Sequence, residues 1–210
     1  MTISGAILWV MLASAAPGAE VIDRIAVIVG RHVIKTSDIA RDLRLTDFLN
    51  REPLELSAEA KKNSAERLID QEIIRQEIVT GGYRRPTDED AESFEKQLVR
   101  DRFHGSAAQA SAALAKYGLT EPQLRAQLLW QLTVLRFIDQ RFRAGVLVTD
   151  EDIQSYYEQH HRELGTDSIE ALKPKIRSTL EGDRINDLFN AWLAHERKTT
   201  RIEYKQEAFQ

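Results

Sequence analysis

No cysteine occurs in the 210-residue chain, proline and glycine are scarce at 5 and 10 residues, and positive charge is not in excess. The lack of cysteine excludes disulfides, thiol chemistry and a lipid anchor attached to a cysteine. The scarcity of proline and glycine leaves little length for flexible linkers. Because phosphate contacts require a positive excess, the formal net charge of -4 argues against nucleic-acid partners. With 42% hydrophobic and 30% charged residues, the composition favours a folded globular chain.

Residues 1–19 form a segment unlike the rest of the chain. An apolar run over residues 6–13 leads into small residues that include Ala15 and Ala19. This pattern is typical of a secretory signal peptide, although no Lys or Arg precedes the apolar run. The run is too short to span a bilayer. We predict export with cleavage after Ala15 or Ala19; an uncleaved membrane anchor and a disordered N-terminus are the alternatives.

Patterns typical of β-strands occur only near the two ends of the mature chain. Residues 21–29 are rich in β-branched side chains, Gly30 interrupts them, and residues 33–35 resume the run. This arrangement predicts a hairpin with Gly30 in its turn. Residues 200–204 alternate polar and apolar side chains and predict a short terminal strand. Because a short strand needs a partner, we expect the two ends of the chain to join in one small sheet.

Between these strands, apolar spacing and capping residues predict a series of helices. Ser and Thr N-caps, acidic first turns and glycine stops mark most of the boundaries. The predicted N-caps are Ser37, Thr87 and Thr149, further predicted starts are Ser57, Ser106, Thr120 and Ser168, and predicted ends or interruptions include Pro53, Gly81-Gly82, Gly105, Gly118 and Gly182. The chain is therefore predicted to be mainly α: a multi-helix module with a small β-sheet that joins an N-terminal hairpin to a C-terminal strand.

The helix predicted over residues 120–143 has apolar side chains on two sides. A second stripe, well away from the first, contains Trp130, Val134 and Phe137. Such a helix is either buried between two layers or leaves one side for a partner. Core packing on both sides is the simpler interpretation, and an exposed second stripe is the alternative. At about 100° per residue, the first stripe consists of Leu124, Leu128, Leu132, Leu135, Ile138 and Phe142.

Groups of residues that carry out catalysis or bind metals are not recognisable in the sequence. The histidines form no i,i+4 pair and have no carboxylates at metal-ligand spacing; they are His32, His104, His160, His161 and His195. No G-x-S-x-G turn and no glycine-rich phosphate loop occur. The run from Thr87 to Asp90 lacks the spaced ligands of a calcium loop. We therefore expect no catalytic residue, no metal, no cofactor and no small-molecule substrate.

Short motifs along the chain occur in a distinctive order. They are residues 21–30 (VIDRIAVIVG), 33–38 (VIKTSD), 68–74 (LIDQEII), 117–125 (YGLTEPQLR), 148–153 (VTDEDI), 173–176 (KPKI), 192–193 (WL) and 201–204 (RIEY). Their order and spacing resemble those of the SurA-like periplasmic chaperones, from the mature start of that family to its C-terminal helix and strand. The resemblance spans nearly the whole mature chain.

The resemblance implies two parts of one structural domain in the mature chain. Residues 20–164 correspond to the N-terminal chaperone region, and residues 165–210 to a C-terminal helix and strand that pack back on it. In that family, parvulin-type prolyl isomerase domains lie between these two parts. Here only about residues 160–166 lie between the two flanking segments, and so short a stretch cannot form a sheet, several helices and an active-site cleft. The resemblance therefore implies the chaperone module without the isomerase.

The leading hypothesis is a periplasmic chaperone, not an enzyme, that binds unfolded outer-membrane or secreted polypeptides. The resemblance implies these clients, and an exposed apolar groove would supply the contacts. The candidate groove residues are Trp130, Val134, Phe137, Tyr156 and Tyr157. A peptidyl-prolyl cis-trans isomerase is the first alternative. The second is a structural or adaptor module, formed as a homodimer that exchanges its C-terminal helix.

Overall fold

The computed structural model describes residues 23–164 and 168–209, and the predicted signal peptide over residues 1–19 lies outside them. Within the described residues the chain forms three strands, seven α-helices and two 3₁₀ turns. The strands and helices are β1 (Ile25–Val29), β2 (His32–Lys35), α1 (Thr36–Asn50), α2 (Ala58–Gly81), α3 (Asp88–Phe103), α4 (Ala107–Lys116), α5 (Glu121–Phe142), α6 (Asp150–Leu164), α7 (Ile169–Thr199) and β3 (Ile202–Tyr204). The fold is mainly α with one small sheet, as the sequence predicts.

The three strands form one antiparallel sheet in the order β2-β1-β3. Ile28 of β1 lies opposite Val33 of β2 and opposite Glu203 of β3. Gly30 has a φ of +59° in the turn between β1 and β2, a left-handed conformation that glycine adopts without strain. The predicted hairpin and its pairing with the terminal strand are both confirmed, and the two ends of the described chain meet in this sheet.

Local capping explains where several helices begin. The hydroxyls of Ser57, Thr87, Ser106 and Ser168 each accept a hydrogen bond from a backbone N–H in the first turn of α2, α3, α4 and α7. α2 ends where Gly82 adopts a φ of +66°. The sequence predicts these boundaries because a cap depends only on residues a few positions away.

The prediction that Ser37 is the N-cap of α1 is wrong. α1 begins at Thr36, and its N-cap residue is Lys35, whose N–H donates to the Asp38 carboxylate at 3.0 Å. The Ser37 hydroxyl instead donates to the carboxylate of Asp23 at 2.7 Å, which ties the helix to the residues before β1. Because β2 runs directly into α1 without a loop, Ser37 already lies inside the first helical turn.

Four clusters of buried side chains hold the elements together. The first packs β1 and β2 on α1 and α2, and the second joins α1 to α4 and α5. The third, named here the Phe137 cluster, joins α2, α5 and α7, and the fourth joins α6 to the first half of α7. α7 is one helix through Pro174 and Gly182, so the predicted interruption at Gly182 does not occur. This single helix contributes side chains to three of the four clusters.

Polar groups fix the last turns of α7 to α2 and β3. Arg197 donates to the carboxylates of Glu66 and Asp70 on α2. The Tyr204 hydroxyl donates to Glu66 at 2.7 Å. Burial and this hydrogen bond raise the pKa of Tyr204 to about 12. Together with the sheet, these bonds join the C-terminal part of the chain to its N-terminal part.

Candidate binding groove

Trp130 lies on an open surface between α2 and α5. Its half-buried side chain packs against the Phe137 cluster, and the guanidinium of Arg75 on α2 lies 4.3 Å from its ring centroid. A cation–π pair at an exposed site contributes about 0.5–1 kcal/mol. The Arg75–Trp130 pair therefore connects α2 to α5 at the surface.

Two clefts meet at the Arg75–Trp130 pair. They share Arg75, Ala126 and Trp130, and together they form one depression that we name the Trp130 groove. The first cleft, of about 480 Å³, lies between α1, α2 and the start of α5, and is lined by Asp38, Arg41, Asp42, Leu45, Leu68, Gln71, Arg75, Pro122, Gln123, Ala126, Gln127 and Trp130. The second cleft, of about 330 Å³, lies between the end of α2 and α5, and is lined by Arg75, Ile78, Val79, Arg85, Pro86, Ala126, Leu129, Trp130 and Thr133.

The groove combines apolar walls with amide groups. The side chains of Gln71, Gln123 and Gln127 line the first cleft. Across the described ranges, the Gln127 amide has no hydrogen-bond partner. Val79, which is 62% exposed, is part of the apolar wall of the second cleft. Because a primary amide both donates and accepts hydrogen bonds, this lining suits a polypeptide backbone that carries apolar side chains.

Phe137 does not line the groove. Its side chain is 1% exposed, and its ring lies against those of Tyr83, Phe142 and Trp192 at centroid distances of 5.0, 6.0 and 5.4 Å. Trp192 belongs to α7, which packs over this side of α5. The prediction that Phe137 forms part of an exposed groove is wrong, because a helix from the end of the chain covers it.

Val134, Tyr156 and Tyr157 also lie away from the groove. Val134 is half-buried against the Phe137 cluster and lines neither cleft. Tyr156 and Tyr157 lie on α6 and pack against the fourth cluster, where the Tyr156 ring stacks on His160 at 4.1 Å. Of the five predicted groove residues, Trp130 alone lines the Trp130 groove.

The groove contains residues that sequence reasoning does not identify. Arg75 lies 55 positions before Trp130 in the chain, so only tertiary packing brings the two together. The sequence does give some indication of Val79. It is an apolar residue that directly follows Ile78, the last buried residue of α2, and does not belong to the buried face. Leu135, in the first apolar stripe of α5, is 62% exposed but lines neither cleft.

Two acids at the start of α6 have shifted pKa values. A hydrogen bond from Arg184, together with one from the Thr149 backbone, lowers the pKa of Asp152 to about 2. Lys173 and Arg177 lower the pKa of Asp150 below its usual value. These ion pairs join the start of α6 to α7 and lie outside the groove.

Among residues 23–164 and 168–209, no group of three or more His, Asp and Glu side chains is arranged to hold a metal ion. No helix in these ranges has the length and apolar character needed to cross a membrane. In comparisons with known proteins, no family model matches the chain, and no curated protein matches it. The resemblance to the SurA-like chaperones therefore rests on the order of the sequence motifs.

Proposed function

We propose that the protein is an exported, periplasmic chaperone that binds unfolded outer-membrane or secreted polypeptides in the Trp130 groove. The observation that carries the proposal is an open groove with apolar walls and amide side chains, and with the Arg75–Trp130 pair at its centre. The motif order that resembles the SurA-like chaperones supports the same interpretation. No catalytic step is part of the proposal.

Binding in such a groove is weak for each segment of a client. Burying one Leu- or Phe-sized side chain contributes about 1.5–3 kcal/mol, whereas a micromolar dissociation constant corresponds to about 8 kcal/mol. Ordering a flexible client also costs part of this gain. Several client segments must therefore bind for a chain to be held, and each can be released separately, which suits a protein that returns its clients to folding.

The short connection between α6 and α7 supports a module that lacks an isomerase. α6 ends at Leu164 and α7 begins at Ile169, so four residues lie between them. An isomerase domain would need its own sheet, helices and cleft at this point. We therefore expect the mature protein not to accelerate cis–trans exchange at prolyl peptide bonds.

Suppression of the aggregation of an unfolded outer-membrane protein tests the proposal. Trp130→Gln removes the aromatic ring from the centre of the groove, and we expect it to weaken suppression. Leu135→Gln is the matched control, since it replaces an exposed apolar side chain on the same helix that lines neither cleft. We expect this control to suppress aggregation as the wild-type protein does. Far-UV circular dichroism establishes that both variants keep the fold.

The outcomes separate the competing functions. Equal suppression by wild type and by folded Trp130→Gln would contradict the groove assignment, and no suppression by wild type would contradict the chaperone proposal. An isomerase assay on a proline peptide runs in parallel, and acceleration there would support the isomerase. Light scattering that finds a stable dimer without affinity for unfolded clients would support the adaptor module.

A further inference from the structure

The second cleft of the Trp130 groove differs in charge from three other clefts in the described part of the chain. It is lined by Arg75 and Arg85 and by no acidic residue. A cleft with this lining favours an anionic group. Carboxylates line each of the other three: Asp38 and Asp42 in the first cleft, Glu92, Glu95 and Glu121 between α3, α4 and α5, and Glu59 and Glu66 beside β3.

Arg85 is the cation of the second cleft that is free to bind a ligand. Arg75 already pairs with Glu72 at 3.5 Å and lies over the Trp130 ring. The Arg85 guanidinium is exposed, and it makes no hydrogen bond or ion pair with any residue that the structure describes. A ligand carboxylate therefore does not have to displace an existing partner of Arg85.

α5 holds the segment that carries Arg85 in place. Gln140 accepts a hydrogen bond from the Arg84 N–H and donates one to the Arg84 carbonyl, both at 3.1 Å. Arg136, one turn earlier on α5, donates to the Arg85 carbonyl at 3.3 Å. Pro86 follows and restricts the backbone further. Because this backbone is held, binding of an anion has to order only the Arg85 side chain and not the segment that carries it.

Apolar side chains form most of the remaining wall of the second cleft. Ile78 and Val79 come from α2, and Leu129 and Trp130 come from α5. The volume of about 330 Å³ is at the low end of the range of about 300–1,000 Å³ for ligand pockets, which suits a short ligand segment. An apolar pocket lined by a guanidinium suits a ligand that has both an apolar group and a carboxylate. The planar guanidinium can donate a hydrogen bond to each of the two carboxylate oxygens.

We propose that the second cleft binds the C-terminal residue of a client polypeptide, with its α-carboxylate on Arg85 and its apolar side chain beside Val79 and Leu129. At a C-terminus, one residue supplies both a carboxylate and an apolar side chain, whereas inside a chain a carboxylate comes only from Asp or Glu. The preceding client residues pass Trp130 and enter the first cleft, where Gln127 is available to bond their backbone. The inference rests on the proposed function and names the part of the client that is recognised.

Two fluorescent peptides of one sequence ending in Leu, one with a free C-terminal carboxylate and one with a C-terminal amide, test this site by fluorescence anisotropy. We expect wild type to bind the free acid about tenfold more tightly, because a charge-assisted pair is lost in the amide. Arg85→Gln abolishes this preference. Arg84→Gln is the matched control: Arg84 is also exposed and its side chain has no partner within the described residues, but it does not line the cleft. This control keeps the preference.

Equal wild-type affinity for the two peptides overturns the proposal, and so does a preference that survives Arg85→Gln. The proposal is also overturned if octanoate displaces the free-acid peptide and binds as tightly as that peptide does. The site would then bind free apolar carboxylates rather than chain ends. If wild type suppresses client aggregation but binds acid and amide equally, only the chain-end site fails. If neither peptide binds and aggregation is not suppressed, the proposed function fails as well.

Discussion

Separate substitutions of Phe137 and Trp130 distinguish the core of the protein from its groove. Phe137 is 1% exposed and makes three edge-to-face contacts, with Tyr83, Phe142 and Trp192. Truncating a buried Phe to Ala costs about 3–5 kcal/mol, from lost burial and from the cavity that remains. Because aromatic pairs contribute about 0.5–1.5 kcal/mol each beyond burial, we expect Phe137→Ala near the upper end of that range.

A loss of this size is a large part of the stability of one domain. The free energy of unfolding of a native protein is about 5–15 kcal/mol. In a chain of this length, each 1 kcal/mol lowers Tm by about 2–4 °C. We therefore expect Phe137→Ala to lower Tm by about 8–20 °C, measured by far-UV circular dichroism during heating.

Trp130→Gln should affect client binding more than stability, whereas Phe137→Ala should affect stability more than client binding. Trp130 is half-buried and loses its contact with Arg75, so we expect a stability loss of about 1–2 kcal/mol. This corresponds to a Tm shift of about 2–8 °C. Client binding, assayed well below both transitions, should weaken in Trp130→Gln and be largely kept in Phe137→Ala.

One result would refute this reasoning. If Phe137→Ala lost less than about 1 kcal/mol, as surface substitutions do, and also lost client binding, Phe137 would belong to the groove. Such a result would mean that α7 does not cover α5 in solution.

Substitutions at two further acidic residues test ion pairs of the fold. Asp42 on α1 is almost fully buried and accepts hydrogen bonds from Ser64 at 2.8 Å and from Arg67 at 2.7 Å. We expect Asp42→Ala to lower the free energy of unfolding in urea by about 1–3 kcal/mol, and Asp42→Asn, which keeps an acceptor oxygen, to lower it less; equal losses would contradict this. The pKa of Asp152 in the folded state is about 2, below its ordinary value of 3.8. The pair with Arg184 therefore stabilises the fold fully above about pH 4, and this stabilisation is lost as the pH falls towards 2. Between about pH 5 and pH 2, the urea midpoint of Asp152→Asn should therefore fall less than that of wild type, and an identical fall would exclude this role for the pair.

Most of the fold can be predicted from the sequence because it depends on local patterns. The cap residues Ser57 and Ser168 bond to backbone groups three residues away. The sheet is predictable for a different reason: strand patterns occur only near the two ends of the chain, so the terminal strand has one available partner. The error at Ser37 arises where β2 leads into α1 without a loop, so that no break in the pattern marks the first helical residue.

The groove is harder to predict because its residues meet only through tertiary packing. The two apolar sides of α5 leave a choice between core and binding surface, and Trp192 of α7 decides it for Phe137. Tertiary packing also brings Arg75 of α2 next to Trp130, and the spacing of residues within α5 gives no indication of this contact. The sequence therefore identifies one aromatic residue of the groove but neither its walls nor its charge.

The side of α5 that contains Phe137 changes chemical character at Trp130. Trp130 lies two helical turns before Phe137 on the same side, and Gln127 and Ala126 lie three and four residues before Trp130. In the C-terminal half this side is aromatic, and α2 and α7 close over it. In the N-terminal half it bears small and amide side chains that cannot fill the space beside α2 as a Phe ring does, so a gap remains there. The first cleft therefore begins where the apolar stripe ends, and Trp130 lies at this boundary, so substitution at Trp130 should change binding more than stability.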